Sequence, residues 1–182
     1  MQQKYLVRKK YYQLRKKKYY EVKKEFFIPF VNLIKSKFRK KIKLAMYYPA
    51  SFEINVLRLL EFKYISYQNT LLPIIKKNNS MNFFSWKKNE VLQINKFGML
   101  EPNRSKPNVP EVMLVPLLAF DKKKYRLGYG KGFYDRSLNK YLKKFKNILT
   151  IGVAFSFQKH HKLPINNNDV KLDYILTEKG IY

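Results

Sequence analysis

Arg126-Leu-Gly-Tyr-Gly-Lys-Gly-Phe-Tyr-Asp135 holds three of the six glycines in a chain of 182 residues. Gly128, Gly130 and Gly132 alternate, a spacing that lets the backbone turn sharply and present successive N–H groups to an anion. Lys131 sits inside the turn and Arg126 just before it. After Gly132 the apolar residues fall at helical spacing (Tyr134, Leu138, Tyr141, Leu142, Phe145), with Asp135, Arg136, Lys140, Lys143 and Lys144 largely on the other face. Upstream, Val112-Met-Leu-Val-Pro116 is a continuous apolar run of the kind expected of a central strand covered on both faces. Downstream, Ile148–Ala154 is another. Strand, glycine loop, helix and strand make a βαβ unit whose loop lies at the C-terminal end of its first strand, where open α/β sheets bind ligands.

A glycine loop opening a helix favours phosphate, because the unsatisfied first-turn N–H groups and the helix dipole both attract negative charge. Two familiar phosphate loops are excluded. A Walker loop needs a Ser or Thr after its lysine, and here Gly132 follows Lys131. In the dinucleotide fingerprint Gly-x-Gly-x-x-Gly the third glycine stands one residue later than it does here. Alternating glycines also mark plain strand-to-helix turns. The lysine, the arginine and the first-turn aspartate together favour the phosphate cradle.

The length suits one domain with a substantial core, and 46% hydrophobic residues exclude a disordered chain. The absence of cysteine removes disulfides, thiolate catalysis and cysteine metal sites, and two histidines, His160 and His161, do not suffice for a histidine-built zinc centre. No long uncharged apolar run suggests a membrane span, and the basic N-terminus lacks the apolar core of a secretory signal, so a cytoplasmic protein is expected. The formal net charge of +27 invites a nucleic-acid reading. However, Lys, Asn, Ile, Tyr and Phe are enriched together, as AT-biased codon usage produces, and the lysines are spread along the chain rather than gathered into a footprint. Weak, salt-sensitive adhesion to RNA is expected, and no specific nucleic-acid partner.

Elsewhere the pattern predicts a helix from about Lys4 to Phe26, with Val7, Tyr11, Leu14, Val22 and Phe26 on one side and Pro29 ending it or kinking its exit. Lys4 and Arg8, four apart, share a helical side and can reach a common anion. Strands are predicted at Ile42–Tyr48, Leu71–Ile75, Met81–Trp86 and Asp173–Thr177, with a short helix at Ile54–Phe62 and a turn at Asn78–Ser80. The stretch from Gly98 to Pro110 reads as a long, irregular surface loop, the sort that lines a site. His160 and His161 read as exposed loop residues.

These residues resemble the 5-formyltetrahydrofolate cyclo-ligase (methenyltetrahydrofolate synthetase) family. The resemblance is carried by Val115-Pro116, Ala119-Phe-Asp121, the glycine loop from Arg126 to Asp135, and Leu163-Pro164 leading to Asn168-Asp169 and Asp173. Weaker echoes are Lys4 with Arg8, the Tyr48–Glu53 loop and Glu101-Pro102.

The resemblance implies a single three-layer α/β domain over residues 1–182, with a mostly parallel sheet flanked by helices, and a monomer is expected. It implies ATP-dependent cyclisation of 5-formyltetrahydrofolate to 5,10-methenyltetrahydrofolate, with magnesium, releasing ADP and phosphate. In the family's scheme the formyl oxygen attacks the γ-phosphate, N10 then attacks the activated carbon, and phosphate leaves. By the same likeness Lys131 and Arg126 are the catalytic cations. ATP falls to Lys4, Tyr5, Leu6, Val7 and Arg8, and to Arg126, Leu127, Gly128, Tyr129, Gly130, Lys131, Gly132, Phe133 and Tyr134. The folate falls to Tyr48 and Glu53 together with Tyr129, Gly130, Lys131, Gly132 and Phe133. Asp135 and Asp169 are hard oxygen ligands suited to Mg2+, although Asp135 also suits a helix N-terminus and Asp169 a turn. Val56 stands where the family often has a capping threonine, and Asn55 is the residue able to replace it. Two other readings stay open: a basic RNA-associated protein, and a family member that binds folate without turning it over.

Overall fold

The structure is a computed structural model that describes residues 2–66, 68–76, 80–103 and 105–182. A seven-stranded sheet forms its centre. The strands are β1 (Lys43–Ala45), β2 (Asn69–Ile75), β3 (Met81–Ser85), β6 (Val112–Pro116), β9 (Leu149–Val153), β10 (Tyr174–Thr177) and β11 (Gly180–Ile181), in the spatial order 11-10-9-6-1-2-3. From β10 across to β2 every pairing is parallel, and the edge strands β11 and β3 are antiparallel. Helices α2 (Ile28–Lys37), α3 (Lys63–Ser66) and α4 (Phe133–Lys144) flank it, and α1 (Gln2–Lys18) precedes them in the chain. The mostly parallel α/β architecture predicted from the βαβ pattern is the one observed.

Parallel strands buried on both faces explain the unbroken apolar run at β6. Val112 and Leu114 pack with Phe30, Ile34 and Leu59 on the face covered by α2, while Met113 and Val115 pack with Leu138 and Tyr141 of α4 on the other. Each such buried side chain contributes roughly 1.5–3 kcal/mol. Helix α4 buries Leu138 and Tyr141 and keeps its lysines outside, as its periodicity predicts. Helix α1 lies elsewhere, over a third cluster in which Tyr11 meets Leu118, Ala119, Leu127 and Leu163.

The strand order reverses between β1 and β6. From β1 the chain runs outward to β2 and β3; from β6 it runs the other way to β9, β10 and β11. The crevice beyond the C-terminal ends of β1 and β6 is therefore the switch point at which open α/β sheets take their ligands. The segment 46–53 leaves β1 there. From β6 the chain enters the small hairpin β7 (Ala119–Phe120) and β8 (Arg126–Leu127), which presents the glycine loop.

Several predicted boundaries move. The long N-terminal helix stops at Lys18 rather than Phe26, because Tyr19 and Tyr20 turn onto Phe155 and Val22 enters the core. Pro29 does not end a helix; it opens α2, where its missing N–H does no harm. The segment 98–102 is not irregular, for Leu100–Pro102 is β5 and pairs with β4 (Leu92–Ile94) as a hairpin. The predicted helix 54–62 is a 3-10 segment, Val56–Glu61, with Asn55 capping it through the Leu57 N–H at 3.2 Å. In the predicted turn at 78–80, Asn78 and Asn79 lie outside the described residues. His160 is not simply exposed: its ring meets Tyr11 edge-on and its Nδ1 lies 3.2 Å from the Tyr11 hydroxyl.

Candidate active site at the switch point

The glycine loop is held from both sides. Gly130 has φ 101°, and a Cβ there would sit 3.3 Å from the Arg8 guanidinium, so both conformation and space select glycine. Arg8 itself donates from Nε to the Gly128 carbonyl at 2.9 Å. Gly132, at φ 67°, is the N-cap of α4 and offers no side chain to its first-turn N–H groups. Those groups and the helix dipole therefore face the loop free of a side-chain cap.

The two predicted catalytic cations have opposite surroundings. Lys131 is exposed, its ammonium 4.4 Å from the Phe97 ring centroid, and Phe97 in turn meets Phe133 at 5.3 Å. The turn of the β4–β5 hairpin thus leans on the glycine loop. Arg126 is buried and donates to Asp135 at 2.6 Å. It stacks over Tyr134, 5.5 Å from the ring centroid, and its Nε has no partner among the described residues. Arg126 therefore braces the loop, whereas Lys131 carries its charge in the open.

At the other wall, Glu53 is buried at 9% exposure and its Oε2 accepts the Ala50 N–H at 3.0 Å. Burial raises its pKa; the Ala50 N–H, the Arg15 charge and the Tyr129 hydroxyl pull it partly back. Tyr129 leaves 43% of its surface open, yet its hydroxyl end lies deep between Arg15 and Glu53. Desolvation and the Glu53 charge hold that hydroxyl well above the usual tyrosine value, so it stays a neutral phenol. Tyr134 lies on the same side, its hydroxyl buried without a partner among the described residues. Tyr48 is exposed at the end of the segment leaving β1, whereas its neighbour Tyr47 is buried and donates to the Ile54 carbonyl at 2.9 Å.

Helix α1 supplies a stripe at spacings of four, three and four. Lys4 pairs with Asp169, Arg8 holds Gly128, Tyr11 donates to the Lys159 carbonyl at 2.9 Å, and Arg15 donates to the Leu117 carbonyl at 3.1 Å. Leu6 and Val7 line a cavity of about 370 Å³ with Gln3, His160, Lys162, Leu163 and Pro164. Tyr5 is exposed and lies outside that lining. Leu127 is buried in the cluster beneath α1, so it supports the loop from below.

The carboxylates that the sequence marks for metal are each engaged by a cation, Asp135 by Arg126 and Asp169 by Lys4, and Asp169 also accepts the Asn166 N–H at 2.6 Å. Asn139 of α4 donates to the Asn168 carbonyl at 2.9 Å, which draws the Asp169 segment toward the helix that carries Asp135. Among the described residues no three His, Asp or Glu side chains cluster as a cage. Two other motif aspartates have structural partners: Asp121 accepts the Tyr125 and Leu163 N–H groups, and Asp173 accepts both the N–H and the hydroxyl of Thr150.

Sequence reasoning missed Arg15 and Phe97. Arg15 hides in the run Arg15-Lys-Lys-Lys18, though it continues the inward stripe of Lys4, Arg8 and Tyr11. Phe97 gave no signal, because only the hairpin's folding brings it over the loop.

A switch-point crevice walled by a glycine loop on one side and a buried carboxylate on the other defines an enzyme of the open α/β class. The model of the 5-formyltetrahydrofolate cyclo-ligase family matches residues 3–178. The chain belongs to that family. It is 32% identical over 153 residues to 5-formyltetrahydrofolate cyclo-ligase of Haemophilus influenzae, covering 80% of each chain. The solved structure of Aquifex aeolicus 5,10-methenyltetrahydrofolate synthetase superposes with a TM-score of 0.75 at 32% identity, over 98% of this chain and 91% of that one. The Mycoplasma pneumoniae 5,10-methenyltetrahydrofolate synthetase gives a TM-score of 0.68 at 29% identity, over 95% and 97%.

Proposed function

We propose that the protein catalyses ATP-dependent cyclisation of 5-formyltetrahydrofolate to 5,10-methenyltetrahydrofolate, releasing ADP and phosphate. The observation that carries the reading is the convergence of the glycine loop and the Glu53 loop at one switch point. The names of its relatives, 5-formyltetrahydrofolate cyclo-ligase and 5,10-methenyltetrahydrofolate synthetase, support it.

Phosphoryl transfer asks a protein for alignment and charge neutralisation more than for covalent help. The N–H groups from Gly128 to Gly132 and the first turn of α4 cradle the phosphates, with Lys131 meeting the transferred group and Arg8 supporting the loop. The cavity beside Leu6 and Val7 receives the base. Glu53 accepts hydrogen bonds from the pterin N–H edge, while Tyr48, Tyr129 and Phe133 supply ring surface. A folate held so presents its formyl oxygen to the γ-phosphate. The O–P bond forms as the bond from the γ-phosphorus to ADP breaks; N10 then bonds to the formyl carbon, its proton passes to the phosphate oxygen or solvent, and the C–O bond breaks, releasing phosphate. Alignment of the two substrates on fixed walls accounts for much of the rate.

The donor set fits Mg2+. Each of Asp135 and Asp169 keeps an oxygen outside its ion pair, both are hard donors, and the absence of a wider acidic cage among the described residues suits an ion that shares its coordination with phosphate and water. When bound there, magnesium neutralises phosphate charge.

The test is the absorbance of the methenyl product on mixing protein, 5-formyltetrahydrofolate, magnesium and ATP. Product that needs ATP is expected. Stoichiometric folate binding without product identifies a non-catalytic family member. Neither, with salt-sensitive, ATP-independent retention of RNA, favours the basic RNA-associated reading.

A further inference from the structure

We infer that Arg15 is a positioning residue of this site: its buried guanidinium clamps the loop that carries Glu53 to the loop that carries Tyr129, fixing the two walls in one register. This rests on the folate reading of Glu53 given above. Arg15 is 2% exposed, and its partners come from three distant segments. One terminal nitrogen donates to the Leu117 carbonyl just beyond β6 at 3.1 Å. The other donates to the Ser51 carbonyl at 2.8 Å and to the Tyr129 hydroxyl, and the guanidinium carbon lies 5.4 Å from the Tyr129 ring centroid.

The Glu53 loop needs an outside hold. Ser51 and Phe52 both adopt left-handed backbone, at φ 50° and 64°, which is unfavourable for non-glycine residues and persists where the surroundings enforce it. Within the turn, Glu53 returns its own N–H to the Ala50 carbonyl at 2.9 Å and accepts the Ala50 N–H on Oε2. Arg15 is the side chain that ties Ser51, in the strained pair, to the glycine-loop side. A planar fork with donors at fixed angles suits three acceptors on three segments; a lysine ammonium on a flexible stem does not. Arg15 also carries charge into the space around Glu53, which is faced by Tyr129 at contact and, at longer range, by Tyr47 and Tyr134. Of these groups Arg15 is the cation, so it favours the ionised carboxylate that a pterin N–H edge requires.

Arg15→Met and Arg15→Lys in the full chain test this, by titration with 5-formyltetrahydrofolate and with ATP across the acid range. Arg15→Met is expected to weaken folate binding about tenfold or more, to weaken ATP binding less, and to move the acid limb of folate binding to higher pH. Arg15→Lys is expected to restore that limb, because the charge is kept, but not the affinity. Unchanged folate affinity and pH profile in Arg15→Met, with a lowered melting temperature, would overturn the clamp and leave Arg15 a plain fold staple. If Arg15→Met does not fold, Tyr129→Phe serves: it removes one clamp partner and keeps the ring, and unaltered folate binding and acid limb would count equally against the inference. Hydrogen exchange at residues 50–53 and 128–132 reads the clamp without ligand. Joint loosening of both segments in the variant is expected, and independent behaviour overturns it. A wild-type protein that binds no folate defeats the proposed function, while the exchange measurement still decides the clamp.

Discussion

Arg126 reaches across the glycine loop to Asp135, nitrogen to carboxylate oxygen at 2.6 Å, and the carboxylate end of the pair is the one that meets solvent. Asp135 therefore compensates a buried arginine, and in the reaction proposed above its second oxygen is the one offered to magnesium. Asp135→Asn is expected to raise the magnesium concentration for half-maximal activity, because an amide is a poorer ligand for a hard cation. It is also expected to destabilise the ligand-free protein by roughly 1–3 kcal/mol, since Arg126 loses its counter-charge in a buried setting. A magnesium titration and a melting curve on the same variant separate the duties. A lowered melting temperature with an unchanged magnesium curve would leave Asp135 with the structural duty alone.

Lys131→Ala should remove most turnover while leaving the fold intact. The side chain is exposed and packs against Phe97 at a surface hairpin, so little stability depends on it. Loss of one electrostatic contact to developing phosphate charge costs about a hundredfold or more in rate. Near-normal turnover at saturating ATP would remove Lys131 from phosphoryl transfer.

Gly130→Ala should impair the nucleotide side first. The backbone sits at φ 101°, and the new methyl would lie 3.3 Å from the Arg8 guanidinium, so the loop is strained and the Arg8 side chain that holds it must give way. ATP affinity is expected to fall about tenfold with a smaller change for folate. An ATP titration at fixed folate reads it, and an unaltered ATP curve would mean that the loop's shape is not what binds phosphate.

How much of this was legible depended on whether the signal was local. The alternating glycines and the apolar run at Val112–Pro116 led directly to the βαβ unit, because a tight turn and a two-sided strand each leave a composition mark. The α1 stripe was half legible: Lys4 and Arg8 stood out by spacing, whereas Arg15 was lost among lysines with which it shares only charge. The end of α1 was not legible, since Tyr19, Tyr20 and Val22 leave the helix for contacts with a distant segment around Phe155. The same holds for Phe97, whose meeting with Phe133 and Lys131 depends on a hairpin that folds over the loop. Pro29 misled because proline ends one helix and opens another with equal ease.

Glu53→Gln should weaken folate binding more than ATP binding, by about ten- to a hundredfold, because an amide offers a donor where the pterin edge needs an acceptor. A pH signature accompanies it. Burial raises the Glu53 pKa in the folded protein above its ordinary value, so between the two values the folded chain holds a proton that the unfolded chain has lost. Stability contributed by this group is thus fully present below the ordinary value and declines as pH rises through the raised one. Folate affinity is expected to move the opposite way, appearing as the carboxylate ionises. Stability and affinity measured against pH should show these opposed trends in the wild-type protein, and both should flatten in Glu53→Gln. Equal weakening of folate and ATP would assign Glu53 to the fold instead.

Tyr134→Phe is expected to leave the ligand-free protein as stable or more stable. The Tyr134 hydroxyl is buried with no hydrogen-bond partner among the described residues, and an unsatisfied buried hydroxyl costs about 1–3 kcal/mol. Removing the oxygen while keeping the ring preserves the stacking of Arg126 over it, so the melting temperature should hold or rise. In the site proposed above, such an unpaired group would serve a partner that arrives with the substrate. If so, the same substitution lowers affinity for folate or ATP by about tenfold while stabilising the empty protein, an opposition that a purely structural tyrosine would not produce. Melting curves without ligand and titrations with each substrate decide the matter together. A destabilised protein with unchanged affinities would show that the hydroxyl has a structural partner and no role in binding.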